Sequence, residues 1–338
     1  NLDKKIVITD GYLEAPSVVS MISEHDNILL ITSDEKLYKF YFNLKKKLEV
    51  VFIPRLFTYR KRLDKIIKDI VLLLFFKWKL NSIFKIYNIN EIFIYTRIHC
   101  SLNFWVIRKH YKYANIYIDD RFLNDNYMQN FYSIKSYIII KLYKYIFGVN
   151  YKMITYFGHK HLIVTNEFLK MICVLRNKST INIEKNFKFV SESFPIFKNA
   201  DILLLNGGLY NLNIPKYTHL ISELINLMGQ HLGRNILVKN HPGFESIQIP
   251  YFDKQNIIDD YLPINLFLKS FKVVIGIESG VLYEFANNGG HSISLINMCS
   301  FLSQQTKKNS TKYLQSKLNT NSEIFFPNNF NSLINVLS

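Results

Sequence analysis

Four short polar clusters carry residue types that can bind or transfer a charged group. They are Asp119-Asp120-Arg121, Asn206-Gly207-Gly208, Lys239-Asn240-His241-Pro242-Gly243 and Gly276-Ile277-Glu278-Ser279-Gly280. Each cluster directly follows, or completes, an apolar run of the kind that forms a buried strand. In open α/β sheets, ligands bind beyond the carboxyl ends of the strands. The clusters are therefore predicted to lie where a ligand binds.

Two of the clusters contain groups that can move a proton. Paired carboxylates such as Asp119 and Asp120 can supply a general base, since a neighbouring like charge raises one of the two pKa values. The alternative is a capping or loop acid paired with Arg121. His241 is suited to donating a proton or holding a phosphate near neutral pH, and Pro242 would fix the turn that aims it. A purely structural histidine is the alternative there.

The other two clusters are suited to binding a phosphate. Gly207 and Gly208 let backbone N–H groups approach a phosphate or a base closely, although a plain strand-to-helix turn would use them too. Ser279 precedes a predicted helix, whose first N–H groups and dipole favour an anion; an ordinary serine N-cap is the alternative. The sequence contains neither GxGxxG nor GxxxxGK[ST], so it predicts neither a dinucleotide fingerprint nor a P-loop.

Apolar runs that alternate with helical patterns must position these clusters. Strands are predicted at 5–10, 27–32, 49–53, 91–95 and 115–119, and again at 201–205, 235–239, 272–276 and 291–296. Such continuous apolar strands, separated by helices, predict parallel sheets covered on both faces. We therefore expect an α/β fold with two Rossmann-like domains, 1–165 and 201–338, joined by a polar connection at 166–200. The stretch from Ser303 is rich in Lys, Ser and Asn and predicts no particular element.

The positive charge of the chain is concentrated in its middle. The 338 residues carry a formal net charge of +16, and residues 51–200 hold 25 Lys and Arg against 9 Asp and Glu. A field of one sign favours a polyanionic partner: nucleic acid, an anionic membrane surface or a charged glycan. The three cysteines are far apart and form no CxxC, which disfavours a disulfide framework or a structural zinc site and favours a reducing compartment.

A long basic helix is predicted at about residues 59–80. One helical face collects apolar residues at Leu63, Ile66, Ile67, Ile70, Val71 and Leu74. This pattern is typical of a surface helix whose apolar face packs inward. The alternative is a helix that lies on a membrane, which the similar composition of residues 133–147 favours. The longest apolar run in the basic half, 70–76, is too short to cross a bilayer.

In their order, the clusters resemble the motifs of bacterial sialyltransferases of the GT-B type. These are the lipooligosaccharide sialyltransferases and, more distantly, the capsular polysialyltransferases. Their acidic Asp/Glu-Asp/Glu-Gly motif is similar to Tyr117-Ile118-Asp119-Asp120, their His-Pro motif to His241-Pro242, and their Ser-Ser/Thr motif to the stretch from Ser279 to Glu284. Arg121 stands where the family has glycine, and Gly280 stands where it has a second serine.

The resemblance implies two Rossmann-like domains that face a central cleft. Asp119 would be the general base, and His241 would protonate or hydrogen-bond the phosphate leaving a CMP-linked sugar. The residues implied to bind substrate are Asp120, Asn206, Gly207, Gly208, Pro242, Glu278, Ser279 and Gly280. Transfer would invert the anomeric centre without a metal or another cofactor, because a histidine and a helix dipole would take the role of Mg²⁺.

The sequence thus predicts a transferase of sialic acid, or of a related nonulosonic acid, from its CMP-linked donor to a bacterial surface glycan such as lipooligosaccharide, O-antigen or capsule. The expected location is the cytoplasm, peripheral on the inner face of the inner membrane. Another GT-B enzyme, for Kdo or polyol-phosphate transfer, is the alternative. A basic nucleic-acid-binding protein is the alternative of another class. The sequence disfavours it, because the Lys and Arg residues lie on amphipathic helices without an RNA-binding motif.

Overall fold

The chain folds into two units, Asn1–Asn182 and Ile183–Ser338. Their boundary falls inside the predicted connection at 166–200. The computed structural model describes residues 3–12, 14–44, 48–53, 63–95, 106, 109–110, 114–119, 129–130, 137–138, 141, 144–145, 151–156, 159–164, 173–175, 183–194, 200–207, 213–231, 233, 235–241, 249 and 256–337.

The first unit is built on a sheet of six parallel strands. Its elements are β1 (Asp3–Thr9), α1 (Ala15–Glu24), β2 (Ile28–Thr32), α2 (Glu35–Phe42), β3 (Glu49–Phe52), α3 (Leu63–Ile86), β4 (Asn88–Tyr95), β5 (Asn115–Asp119), β6 (Gln129–Asn130), β7 (Tyr151–Tyr156), β8 (His159–Val164) and β9 (Cys173–Leu175). The sheet has the order β3-β2-β1-β4-β5-β9, and β6, β7 and β8 form a separate antiparallel sheet that the sequence did not predict.

The second unit repeats this plan. Its elements are α4 (Ile183–Ser191), β10 (Ile202–Asn206), α5 (Ile214–Asn226), a π turn (Leu227–His231), β11 (Ile236–Asn240), β12 (Ile257–Ile258), 3₁₀ turns (Ile264–Leu266, Leu268–Ser270), β13 (Val273–Gly276), α6 (Gly280–Asn287), β14 (His291–Ser294), a 3₁₀ turn (Leu295–Met298), α7 (Gln304–Gln315), β15 (Ile324–Phe325) and α8 (Phe330–Leu337). The parallel order is β12-β11-β10-β13-β14-β15.

In both sheets the first strand of the unit lies in the middle, between the second strand and a strand reached by crossing over. This is the order of a Rossmann-like doubly wound sheet. The strand cores are fully buried, as Ile6, Leu30, Leu204 and Ile275 show. Strands buried on both faces have no polar alternation, which is why the continuous apolar runs located them. The predicted α/β fold with two Rossmann-like sheets is confirmed.

The stretch from Ser303 contributes a few side chains to the second unit's core. Ser303 caps α7 by accepting a hydrogen bond from the N–H of Thr306 at 3.1 Å. The helix α8 places Leu333 and Leu337 in the same apolar cluster as the strand residues Leu204 and Ile275. The few apolar residues of the stretch from Ser303, rather than its average composition, therefore decide how it folds.

The C-terminal half of α3 is attached to the first unit by one apolar side. Leu80 and Phe84 are buried on that side, and the ring of His110 meets the Phe84 ring edge-on, with centroids 4.2 Å apart. Burial, with Lys109 nearby as a smaller cause, lowers the pKa of His110 from 6.5 to about 4. The imidazole is thus neutral in the folded protein above about pH 4.

This histidine predicts an acid-dependent loss of stability. Between pH 6.5 and about 4, the unfolded chain binds a proton at His110 that the folded chain does not, so the free energy of unfolding falls as the pH falls through this window. We expect His110→Gln to lose less stability than the wild type over the same window, as measured by urea unfolding at a series of pH values. Identical pH slopes for the two proteins would contradict the buried, neutral state of His110.

Candidate functional site

The carboxyl edge of the second sheet opens between β10 and β13. From β10 the chain continues to β11 on one side of that strand, and it later crosses over to β13 on the other side, so the strand order reverses at β10. Ligands are therefore expected in the crevice between β10 and β13. Leu204 pairs with Ile275, which puts Asn206 level with Ile277 at that edge. Gly276 allows this close approach, because a Cβ there would lie 3.1 Å from Cβ of Leu205.

A buried hydrogen-bond network fixes the end of β10. The Tyr217 hydroxyl donates to Oδ1 of Asn206 at 2.8 Å and accepts from the N–H of Gly207 at 2.9 Å. Nδ2 of Asn206 then donates to Oδ1 of Asn240 at 2.7 Å. Burial is the main cause that raises the pKa of Tyr217 well above its ordinary value, so the phenol keeps its proton and its role as donor.

His241 lies beside this network. Its backbone N–H donates to the carbonyl oxygen of Asn206 at 3.0 Å, and its side chain is half-buried. A Cβ on Gly207 would come within 3.6 Å of Cβ of His241, and Gly207 has a φ of +94°, which favours glycine. The structure thus brings together Asn206, Gly207 and His241, while Gly208 and Pro242 lie outside the described residues.

Ser279 begins α6 just beyond β13. Its hydroxyl oxygen accepts a hydrogen bond from the N–H of Val281 at 3.3 Å, and Gly280 is the first helical residue. The bond uses a lone pair of the oxygen, so the hydroxyl proton can still be donated to an anion. The approach to the helix is held by Ser294, whose hydroxyl donates to the carbonyl of Ile277 at 2.5 Å.

Glu278 has a partner on α7. Its carboxylate accepts a hydrogen bond from the hydroxyl of Ser310, a buried residue of that helix. The half-buried Glu278 therefore connects the loop after β13 to α7. The sequence did not indicate this contact, because Ser310 lies in a stretch that predicted no element.

The acidic cluster of the first unit follows β5. Asp119 is the last residue of this strand, with its backbone paired to Leu175 of β9. The parallel neighbours β4 and β9 place Asp119 at the carboxyl edge of the first sheet. The side chain of Asp119 and the whole of Asp120 and Arg121 lie outside the described residues.

The sequence analysis missed a second group of acids at the same edge of the first sheet. Oδ1 of Asp10 accepts hydrogen bonds from the N–H and the hydroxyl of Ser33, both at 2.6 Å, at the end of β1. Asp10 and Glu14 are both buried. The Glu14 carboxylate occupies the space above Gly11, where a Cβ would lie 1.9 Å from its Oε2. Thr9-Asp10-Gly11 directly after an apolar run was the available signal.

Tyr41 of α2 completes this group. Burial, and after it the negative charge of Glu14, raise the pKa of Tyr41 well above its ordinary value, so its phenol stays protonated. β1 and β4 are the strands between which the first sheet opens, by the same argument as for β10 and β13. A buried carboxylate beside a neutral phenol is suited to accepting a hydrogen bond or a proton from a hydroxyl group.

The part of the chain that the structure describes contains neither a metal-binding cluster nor a helix that could cross a membrane. Within it, no three or more His, Cys, Asp or Glu side chains form a group able to hold a metal ion. Of the helices in that part, none combines the length and the apolar character that crossing a bilayer requires.

The two-unit architecture is similar to those of several solved structures. The UDP-GlcNAc 2-epimerase of Methanocaldococcus jannaschii is 12% identical, with a TM-score of 0.48 over 99% of this chain and 92% of that one. A family 9 glycosyl transferase of Veillonella parvula is 13% identical, with a TM-score of 0.37 over 94% and 99%. The spinosyn rhamnosyltransferase SpnG, complexed with thymidine diphosphate, is 10% identical, with a TM-score of 0.42 over 93% and 92%.

These TM-scores are low, so the fold class is defined by the strand order of each sheet and not by the similarity to these structures. No protein-family model and no curated protein matches the sequence. The three structures are those of a sugar-nucleotide epimerase and two glycosyltransferases, so the resemblance to sialyltransferases in particular stays a proposal.

The network around Tyr217 predicts a measurable loss of stability. Tyr217→Phe removes one donor and one acceptor from a buried site and leaves the Gly207 N–H and Asn206 Oδ1 without that partner, which costs about 1–3 kcal/mol. Urea unfolding of the variant should show this loss. Tyr145→Phe, at an exposed ring, is the control and should stay near the wild type. A Tyr217→Phe protein as stable as its control would contradict the network.

Proposed function

We propose that the chain is a glycosyltransferase of the GT-B type that uses a nucleotide-linked sugar, and that its donor is a CMP-linked sialic acid or related nonulosonic acid. The observation that carries the proposal is the carboxyl edge of the second sheet. There a positive-φ glycine, a half-buried histidine and a serine-capped helix follow three neighbouring strands. Backbone N–H groups, an imidazole and a helix N-terminus are together suited to a phosphate.

In this proposal the second unit holds the donor. The hydroxyl of Ser279 and the first N–H groups of α6 bind the phosphate, and the dipole of the helix favours its charge. His241 hydrogen-bonds or protonates the departing phosphate oxygen. The loop at Asn206, Gly207 and Gly208 lines the nucleotide pocket, and Tyr217 fixes its first two residues through the bonds to Oδ1 of Asn206 and the N–H of Gly207. Neither a metal nor another cofactor takes part.

The first unit supplies the base. A hydroxyl of the acceptor glycan loses its proton to a carboxylate and attacks the anomeric carbon, while the bond from that carbon to the phosphate oxygen breaks and CMP leaves. Asp119 is the proposed base, because it matches the acidic motif, with Asp120 beside it. Glu14 is the other carboxylate to test, since it is buried at the same sheet edge, next to a protonated phenol.

The proposed acceptor is a bacterial surface glycan, and the proposed location is the inner face of the inner membrane. The positive charge of residues 51–200 supports this location, because a surface of one sign is attracted to anionic lipid. The membrane would then hold the enzyme where glycans carried on lipids are extended.

The donor is tested by nucleotide binding. CMP at 100 times its Kd should stabilise the protein by about 2.7 kcal/mol, a readily measured thermal shift. Ser279→Ala should weaken CMP binding, whereas Asp34→Ala, which removes a comparable N-cap from α2 in the first unit, should lose a similar stability without changing the Kd. A larger shift with UMP or GMP than with CMP would overturn the donor, and equal Kd values in the two variants would overturn the phosphate site.

The roles of the acid and the base are tested by transfer rates. Loss of a positioned acid or base costs about 10²–10⁴-fold, so His241→Ala and Asp119→Asn should each lower transfer by roughly that factor with the fold intact. Asp120→Asn and Glu14→Gln should cost less. Transfer should survive EDTA. If Glu14→Gln has the larger defect, the base is Glu14; if His241→Ala turns over normally, or EDTA abolishes transfer, the mechanism is wrong.

A further inference from the structure

The helix α3 exposes a continuous apolar stripe. Val71, Leu74, Phe75 and Trp78 are 62%, 60%, 51% and 66% exposed, and their spacing of i, i+3, i+4 and i+7 places them on one side of the helix. Leu80 and Phe84, on the opposite side, are buried against the first unit. A surface helix normally turns a polar side to water. The predicted inward packing of the apolar face is therefore wrong for Val71 and Leu74, which lie on its exposed side.

The surroundings of this stripe are basic. The sequence has no acidic residue from Ile70 to Asn90, and Lys85 is exposed on the same side of α3. A second helical region has the same character. There Tyr137, Ile138 and Tyr145 are exposed beside exposed Lys141 and Lys144, and the Lys141 ammonium lies 4.7 Å from the centre of the Tyr137 ring.

We propose that the Val71–Leu74–Phe75–Trp78 stripe of α3 docks on an anionic lipid surface. Aliphatic side chains combined with Trp, Phe and Lys are the composition of helices that lie in the interface of a bilayer. Lipid satisfies the apolar and the cationic groups together, because acyl chains cover the stripe while anionic headgroups meet the lysines. Exposed apolar side chains in one contiguous stripe mark an interaction surface rather than ordinary solvated surface.

Charge decides among the other occupants. A second copy of the chain would bring a second basic surface against the first, at a cost in like-charge repulsion. Nucleic acid would neutralise the lysines but would leave Val71 and Leu74 without an apolar partner. The inference rests on the peripheral location proposed above and not on the identity of the donor, so it can fail while CMP binding succeeds.

The experiment is vesicle sedimentation of the full chain without nucleotide. We expect binding to phosphatidylcholine vesicles that contain phosphatidylglycerol, weaker binding to phosphatidylcholine alone, and release by salt. Trp78→Ser and Leu74→Ser should each lower the partition coefficient about tenfold or more, the effect of one large apolar side chain that is no longer buried. Ile214→Ser, at a similarly exposed apolar residue in the second unit, is the matched control and should bind like the wild type.

Fluorescence adds a readout at the stripe itself. Vesicles should shift the tryptophan emission to the blue in the wild type, and Trp78→Phe should lose most of this shift while it still sediments with the vesicles. Four results would overturn the proposal: binding unchanged in Trp78→Ser, binding indifferent to salt and lipid charge, concentration-dependent dimers that Trp78→Ser dissolves, and no binding to anionic vesicles at all.

Discussion

The Tyr217 hydroxyl, held between Oδ1 of Asn206 and the N–H of Gly207, is the contact on which the candidate site depends. A strand that ends inside a protein leaves polar groups that must be satisfied without water, because each unpaired buried group is costly. Here one phenol satisfies a side chain and a backbone amide at the point where β10 stops. Through Asn206 the same network reaches Asn240, so the ends of two parallel strands are fixed relative to each other. Gly207 and His241 are positioned because each directly follows one of these two hydrogen-bonded asparagines.

Much of this architecture is visible in the sequence, for a physical reason. Strands buried on both faces must be apolar throughout, and the runs at Ile202–Asn206 and Val273–Gly276 stand out against their polar flanks. Their polar ends point to a ligand edge because parallel strands present all their carboxyl ends on one side. What the sequence conceals is long-range pairing. Nothing local in α5 distinguishes Tyr217 from an ordinary buried aromatic residue, and its role appears only when the fold brings it to Gly207.

Other omissions have equally specific causes. In the sequence, Glu14 resembles an ordinary acid at the start of a helix. Only the structure shows that its carboxylate lies over the backbone of Gly11, in space that a side chain at that position would fill. The three residues of β9 are too few to give a pattern, although they extend the first sheet. For α3, periodicity correctly identifies apolar positions on one face but contains no information about whether that face meets protein or solvent. Periodicity identifies which residues share a helix face, and only the three-dimensional packing shows whether protein covers that face.

The hydrogen bond between Glu278 and Ser310 couples the loop after β13 to the helix α7. Ser310 is buried within α7, while Glu278 belongs to the loop that delivers the chain to Ser279. By thermodynamic linkage, whatever stabilises that loop in this position also protects α7 from local opening, and loosening of α7 weakens the loop in equal measure. A helix with a polar, unremarkable sequence thus contributes to the stability of the loop that carries Ser279.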